Sequence, residues 1–166
     1  MKQHTSADTF DGLKGTVVTI GTFDGVHLGH RKIIDRLLAS AQSNDLESVV
    51  LTFFPHPRMV LQKDTGIKLI NSIDERIALL EACGLDHLII HPFTQEFSRL
   101  TAEEFVKDIL VDQLKARKVI IGYDHRFGRN RNANIEDLKA FGEKVNRTVQ
   151  VDSFRELALS DYVYLT

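Results

Sequence analysis

Residues 16–30 read TVVTIGTFDGVHLGH and place a strand, a turn and the start of a helix in immediate succession. The β-branched run from Thr16 to Ile20 predicts a strand, which Gly21 ends. A helical pattern begins near Leu28. The first N–H groups of a helix lack intrahelical partners, and the helix dipole favours negative charge there. This junction therefore predicts a phosphate-binding turn.

Two histidines lie on the first turn of the predicted helix. His27 and His30 are three residues apart and so share one face. Imidazoles donate hydrogen bonds to phosphate oxygens, and Gly29 leaves space for an approaching polyphosphate. The stretch is neither a Walker A loop, since no Gly-Lys-Ser/Thr follows, nor a G-x-G-x-x-G dinucleotide fingerprint.

Strand and helix patterns alternate along the rest of the chain. Crossovers between parallel strands are right-handed, so this order predicts an α/β, Rossmann-like open parallel sheet of about five strands with helices on both faces. Ligands of such sheets bind beyond the carboxyl ends of the strands. Strands are predicted at 16–20, 48–54, 87–91, 118–121 and 148–151, and helices at 28–43, 73–83, 102–115 and 135–146.

Bulk composition describes one ordinary soluble domain. The 166 residues carry a net charge of −2 and are 43% hydrophobic, without the basic excess typical of nucleic-acid binding, so we expect no nucleic-acid partner. The single Cys83 excludes an internal disulfide, and no cluster has zinc spacing. No apolar run approaches membrane-spanning length and the first residues are polar. We therefore expect a cytoplasmic protein without a membrane partner.

Two further loops follow predicted strands. Phe54-Pro55-His56-Pro57-Arg58 forms a rigid exit with aromatic and cationic side chains, which suits a flat anionic ligand. Residues 122–131 read GYDHRFGRNR, whose three arginines suit phosphate or ribose groups. The alternatives are a stiff surface loop in the first case and a solvated basic turn in the second.

The stretch GTFDGVHLGH resembles the His-x-Gly-His signature of the nucleotidyltransferase superfamily. In detail it is similar to the adenylyltransferase module of bacterial bifunctional FAD synthetases, which pair riboflavin kinase with FMN adenylyltransferase. Residues 52–57 (TFFPHP) resemble the family's Thr-Phe-x-Pro-His-Pro stretch. Residues 122–128 resemble its Gly-x-Asp/Asn-Phe-x-Phe-Gly segment, with His125 in place of the usual phenylalanine. The resemblance extends to about Val151.

The resemblance implies a nucleotidyltransferase fold and transfer of AMP from ATP to FMN, which yields FAD and pyrophosphate. It implies that His27 and His30 are catalytic, and that Mg²⁺ accompanies ATP through phosphate oxygens and water, with no direct protein ligand. The implied ATP-binding residues are Gly21, Thr22, Phe23, Asp24, Gly29, Asp124 and Arg126. The implied FMN-binding residues are Phe54, Pro55, His56, Pro57, Arg58 and Phe127.

The sequence departs from the family after Val151. An Ile-Ser-Ser-Thr-Arg-Ile-Arg type segment is expected there, but residues 152–166 read DSFRELALSDYVYLT. We therefore predict an FMN adenylyltransferase domain over 1–152 and a C-terminal remnant or linker over 153–166, with the riboflavin kinase domain absent. Two alternatives remain open: a catalytically weakened or silent flavin- or nucleotide-binding module, and a His-x-Gly-His transferase for another phosphorylated acceptor.

Overall fold

A six-stranded parallel sheet forms the centre of the molecule, with the strand order β1-β4-β3-β2-β5-β6. The computed structural model describes residues 1–26, 28–62, 66–122, 127–145 and 150–154. The predicted α/β fold with an open parallel sheet is confirmed. The strands are β1 Lys2–His4, β2 Thr16–Ile20, β3 Glu47–Phe54, β4 His87–Pro92, β5 Ala116–Gly122 and β6 Gln150–Phe154.

The helices begin where the sequence supplies capping side chains. At the start of α3, Ser72 and Glu75 form a reciprocal capping box, and at α5 the Thr101 hydroxyl accepts a hydrogen bond from the Glu104 N–H. The helices are α1 Leu28–Ser43, α2 Pro57–Leu61, α3 Ile73–Ala82, α4 Gln95–Ser98, α5 Ala102–Glu104, which continues as a π-helix over Phe105–Gln113, and α6 Ile135–Val145. Short 3₁₀ helices lie at Ala7–Thr9 and Arg129–Arg131.

Several short elements lie where the sequence predicts none. Strand β1 forms in the polar amino-terminal segment because it pairs with β4, with Lys2 opposite His87. Helices α2 and α4 have five and four residues, too few to show a helical period. Strand β6 begins at Gln150 and continues to Phe154, beyond the predicted range of 148–151. The predicted domain division at 152/153 stays a prediction.

The pleat of the strands sends alternate side chains into two hydrophobic cores, one on each face of the sheet. On one face, Val17, Val50, Leu88 and Ile120 pack with residues of α1 and α3. On the other face, the alternating residues pack with the π-helix and α6, and include Val18, Leu51, Ile89, Val119 and Ile121. The strands are buried on both faces, as in other doubly covered parallel sheets.

The strand order places a ligand crevice beside β2. The chain leaves β2 towards β3 on one side, whereas it leaves β5 towards β6 on the other. Strands β2 and β5 therefore lead to strands on opposite sides of the sheet, and ligands of open parallel sheets bind at the carboxyl edge beside such a change of direction. The loops after β2 and β5 were both predicted from the sequence as candidate site segments.

A buried histidine pair lies between β1 and β4. His4 Nε2 is 3.0 Å from His87 Nδ1, and His87 Nε2 is 2.9 Å from Glu47 Oε2. The His4 side chain is buried. Burial, followed by the proximity of His87, lowers the pKa of His4. The folded protein therefore favours neutral His4.

Folding stability should fall as the pH drops below about 6.5, the ordinary pKa of histidine. The pKa of His4 is lower in the folded protein, so the unfolded protein binds more protons in that range and acid favours unfolding. His56 and His91, whose pKa values are also lowered, act in the same direction. In His4→Gln one titrating group is lost, while the amide can still hydrogen-bond to His87.

The measurement is urea unfolding of wild type and His4→Gln between about pH 7.5 and about pH 5.5. Each proton that the unfolded protein binds and the folded protein does not changes the free energy of unfolding by up to about 1.4 kcal/mol per pH unit. We expect a shallower pH dependence for His4→Gln. Parallel pH profiles for variant and wild type, at equal m-values, would contradict the role assigned to His4.

Candidate functional site

The loop after β2 is a tight turn with a left-handed backbone at three of its described residues. Phe23, Gly25 and Val26 have φ angles of 52°, 83° and 42°. This conformation is unfavourable for bulky residues such as phenylalanine and valine, so the surrounding structure must impose it. Phe23 and Val26 are each 2% exposed and pack in the core that contains α1. Burial of these two side chains holds the loop at the amino end of α1.

His30 lies in the first turn of α1, two residues after the helix begins at Leu28. Its ring centroid is 4.9 Å from that of Phe23, at an interplanar angle of 52°. The buried Phe23 ring therefore restricts the orientation of the half-buried imidazole. Gly29 is buried beside it. The other predicted catalytic residue, His27, lies outside the described residues.

Asp24 ties the loop to the segment that precedes α3. Its Oδ2 accepts a hydrogen bond from the Ile70 N–H at 2.8 Å, and its Oδ1 accepts one from the Asn71 N–H at 3.0 Å. Gly25 packs closely against the same segment, since a Cβ there would lie 2.9 Å from Ile70 Cδ1. Both oxygens of Asp24 thus fix the loop's position, and its predicted contact with ATP stays a prediction.

Thr52 and Arg76 hold the loop after β2 through the carbonyl oxygen of Thr22. The Thr22 carbonyl oxygen accepts a hydrogen bond from the Thr52 hydroxyl at 3.2 Å and another from Arg76 Nη1. Arg76 Nη1 also donates to Thr52 Oγ1 at 3.3 Å. Burial lowers the pKa of Arg76, while Asp24 opposes that effect. The guanidinium is a buried cation at the carboxyl ends of β2 and β3.

Arg76 was not predicted as a site residue, and Thr52 was identified only as the first residue of the TFFPHP stretch. A signal for Arg76 was present, because it lies among the apolar residues Ile73, Ile77 and Leu80 of α3, on the side of the helix that faces the core. Charged side chains are seldom fully buried without a partner. Thr52 is a polar residue within an apolar strand, which is a weaker signal.

The exit from β3 is formed by the predicted Pro-His-Pro-Arg stretch. His56 caps α2, because its Nδ1 accepts a hydrogen bond from the Arg58 N–H at 3.1 Å, and Pro57 is the first helical residue. Burial, followed by the charges of Arg58 and Arg76, lowers the pKa of His56, whereas Asp24 raises it. His56 is thus close to the charged residues around the β2 loop. Pro55 and Arg58 are exposed at the rim.

Phe54 is the last residue of β3, directly before this exit. Its side chain is 47% exposed. It lines a shallow groove with residues of β4 and of the amino-terminal segment: Gln3, His4, Thr5, Ile90 and Pro92. The other predicted FMN-binding residue of this exit, His56, is not among the residues that line this groove.

Phe127 is the first described residue of the loop after β5. Its backbone pairs with Ala133 in both directions, at 3.1 and 3.2 Å, and its side chain packs in the core 5.9 Å from the Phe105 ring. Gly128 has a φ of 76°, and a Cβ there would lie 2.9 Å from the Ala102 backbone. Phe127 thus anchors the end of this loop, and its predicted FMN contact stays a prediction. Asp124 and Arg126 lie outside the described residues.

Within the described ranges, no group of three or more His, Cys, Asp or Glu residues could hold a metal ion. None of the described helices is both long enough and apolar enough to cross a membrane.

Comparison with known proteins identifies the family. The family model for FAD synthetase matches residues 10–161, which is most of the chain. The chain belongs to the FAD synthetase family. The resemblance inferred from GTFDGVHLGH and TFFPHP is thereby confirmed.

Relatives of this FAD synthetase family member include full bifunctional enzymes. It is 36% identical over 139 residues to the bifunctional riboflavin kinase/FMN adenylyltransferase of Buchnera aphidicola subsp. Schizaphis graminum, which covers 83% of this chain and 45% of the relative. It is 32% identical over 138 residues to a putative bifunctional enzyme of the same description from Geobacillus thermodenitrificans, which covers 82% of this chain and 74% of the relative. The chain thus spans less than half of the first relative's length.

The fold is also found among solved structures. A crystal structure described as a macrolide-efflux protein from Streptococcus pneumoniae matches with a TM-score of 0.76 and 25% identity, over 93% of this chain and 50% of that one. The match extends over nearly the whole FAD synthetase module and agrees with the predicted fold class.

Replacement of Asp24 by asparagine should loosen the segment before α3. Asparagine offers one acceptor oxygen, and its amide group would face one of the two N–H donors. We expect faster hydrogen exchange at the Ile70 and Asn71 amides and a loss of about 1–3 kcal/mol in the free energy of unfolding. NMR hydrogen exchange measures the amides individually. The matched control is Asp35→Asn on the exposed face of α1. Unchanged protection of both amides in Asp24→Asn would show that the tether is unimportant.

Proposed function

We propose that this chain transfers the AMP group of ATP to FMN, which yields FAD and pyrophosphate. Its membership of the FAD synthetase family over residues 10–161 supports this activity. The observation that carries the proposal is the position of His30 in the first turn of a sixteen-residue helix, directly after the left-handed loop at the carboxyl end of β2.

ATP is proposed to bind with its triphosphate against this loop and the amino end of α1. Backbone N–H groups of the loop and of the first helical turn would donate hydrogen bonds to phosphate oxygens. The buried Gly29 presents no side chain there. His30, together with His27, would donate further hydrogen bonds to the triphosphate. Asp124 and Arg126 are proposed to contact ATP from the loop after β5.

The proposed reaction needs no nucleophile from the protein. A phosphate oxygen of FMN attacks the α-phosphorus of ATP, a new P–O bond forms, and the bond from the α-phosphorus to the bridging oxygen breaks. The electrons of that bond leave with pyrophosphate. Catalysis then consists of positioning and of hydrogen bonds to oxygens that gain charge. Contact with the buried Phe23 ring restricts the orientation of the His30 imidazole for this role.

Magnesium is proposed to accompany ATP. The described residues fit an ion held through phosphate oxygens and water, because both oxygens of Asp24 accept backbone hydrogen bonds and the described part of the chain has no cluster of three metal-ligating residues. When bound, Mg²⁺ would neutralise part of the charge that develops on the phosphates.

FMN is proposed to approach from the β3 exit. Arg58 is an exposed cation suited to its phosphate. His56 belongs to the same exit, and the charges of Asp24 and Arg76 act on its imidazole. Pro55 and Pro57 flank His56 and restrict the backbone of this exit, which limits the positions of the His56 and Arg58 side chains.

The deciding experiment is an assay of pyrophosphate release and FAD formation with ATP, Mg²⁺ and FMN. A parallel assay replaces FMN by 4′-phosphopantetheine, the acceptor of a different His-x-Gly-His transferase. FAD formation supports the proposal. Bound flavin without pyrophosphate release would instead indicate a silent binding module, and turnover with phosphopantetheine alone would indicate another acceptor.

His30→Ala should lower the rate of FAD formation by about 10²–10³, the usual effect of removing one hydrogen-bond donor to a developing charge. The fold should survive, since the imidazole is only partly buried. Steady-state kinetics and the thermal unfolding temperature are measured together. Asp35→Ala, exposed on the same helix, is the control. An unchanged rate in a folded His30→Ala protein would remove His30 from the mechanism.

His56→Ala and Arg58→Ala should weaken FMN binding more than ATP binding. Loss of a hydrogen bond to a charged group costs about 1.5–3 kcal/mol, which corresponds to a dissociation constant about ten- to a hundredfold higher. Titration calorimetry with each ligand separately measures the effect. Arg117→Ala removes an exposed cation near the amino end of β5 and serves as the control. A larger loss for ATP would place the flavin elsewhere.

A further inference from the structure

Arg76 is a buried cation next to the loop that follows β2. Its side chain is 3% exposed, although it belongs to the first turn of α3, which lies outside the sheet. Its Nη1 reaches the carboxyl ends of two strands and donates to the Thr22 carbonyl oxygen and to the Thr52 hydroxyl. Both acceptors are neutral groups, so neither compensates the charge.

The described residues provide no carboxylate within the ion-pair distance of 4.0 Å from Arg76. Asp24 acts on its charge from farther away, and the two oxygens of Asp24 accept hydrogen bonds from Ile70 and Asn71. Arg76 Nε is buried and has no hydrogen-bond partner among the described residues. A buried charge without an opposite charge nearby lowers the free energy of unfolding. A contribution to stability is therefore a poor explanation for the burial of Arg76. An anion bound to the adjacent loop would supply the missing negative charge.

The hydrogen bonds of Arg76 also fix the direction of one peptide group. In a trans peptide, the carbonyl oxygen and the following N–H point in opposite directions. Arg76 and Thr52 hold the Thr22 carbonyl oxygen towards the buried side. The Phe23 N–H therefore points away from Arg76 and Thr52. The Phe23 N–H belongs to the loop after β2, which has buried side chains and a left-handed backbone and leads into α1.

We propose that Arg76 is a positioning residue for the polyphosphate chain of a nucleoside triphosphate. It orients the Thr22–Phe23 peptide so that the Phe23 N–H faces the anion, and its buried charge raises the positive potential beneath the loop. This inference rests on the proposed function, since it takes a triphosphate to be the ligand of the loop. Arg76 does not itself take part in bond making.

The test compares wild type with Arg76→Met, Arg76→Lys and Thr52→Val. Calorimetry gives the affinities for ATP with Mg²⁺, for inorganic tripolyphosphate and for FMN, and steady-state assays give kcat and KM for ATP. Arg117→Met is the matched control, with the same change at an exposed position near the amino end of β5. Arg76→Lys retains the positive charge and guards against a loss of folding in Arg76→Met.

We expect affinity for ATP and tripolyphosphate to fall about ten- to a hundredfold in Arg76→Met, the scale on which misplaced binding groups act. The affinity of Arg76→Lys for ATP and tripolyphosphate should lie between those of Arg76→Met and wild type, because lysine keeps the positive charge but lacks the planar guanidinium group. Thr52→Val should produce a smaller loss in the same direction. FMN affinity should change less than triphosphate affinity in every variant, because Arg76 contacts the β2 loop directly and acts on His56 only through its charge.

Two results would overturn the inference. One is wild-type affinity for ATP and tripolyphosphate in a folded Arg76→Met or Arg76→Lys protein. The other is an equal loss of FMN and triphosphate affinity that follows the loss of thermal stability, which is the behaviour of a merely structural residue. A wild-type chain that forms no FAD speaks against the proposed function. The tripolyphosphate titrations test the role of Arg76 independently of the proposed function, because they measure binding and require no turnover.

Discussion

Strand β2 is hydrogen-bonded on both sides, to β3 and to β5, and the candidate site depends on that position. The pairing with β3 continues into the loop, where the Gly21 N–H donates to the Leu51 carbonyl at 3.1 Å. All six strands are parallel, so every strand ends at the same edge. The chain has to leave β2 and β5 in opposite directions, which opens space at their carboxyl ends. The strand order alone thus places the proposed phosphate site at a position where open parallel sheets bind ligands.

Side chains then restrict this space to one geometry. The left-handed residues Phe23 and Val26 are held by burial, and Asp24 by two backbone N–H groups. Arg76 contributes a charge that the described neighbours do not neutralise at close range. The nearby His56 has a lowered pKa and accepts a backbone hydrogen bond through Nδ1, which favours its neutral form. Positive charge beneath the loop suits an anionic ligand, and the neutral imidazole of His56 retains its Nε2–H as a hydrogen-bond donor.

The sequence predicted those parts of the fold whose residues form long periodic patterns. Strand β2 and helix α1 were predicted at their observed bounds, and the α3 capping box was identified from Ser72 and Glu75. Strand β1 and helices α2 and α4 were missed, because three to five residues carry no measurable period and are stabilised by their neighbours.

The site was predicted less completely than the fold. Local motifs identified the loops after β2, β3 and β5. His30 lies at the start of the helix that follows the first of these loops, and His56 lies in the second. The contacts of Thr22 with Thr52 and Arg76 join residues far apart in sequence, which no local pattern reports. The groove that Phe54 lines depends on how β1 and β4 pack, and Phe127 faces the core because its backbone pairs with Ala133. Such relations follow from tertiary packing alone.

The tether of Asp24 has a consequence for the order of folding. Its partners Ile70 and Asn71 are 46 and 47 residues further along the chain, and Arg76 is 54 residues beyond Thr22. Bringing together residues that are so far apart in sequence lowers the conformational entropy of the chain, and this loss precedes any gain from the contacts. The glycine-rich turn and its histidine are adjacent in sequence to β2 and α1, yet their final geometry has to await the docking of α3. A nascent chain that has emerged only as far as α1 would carry the whole motif without the loop conformation that the motif requires.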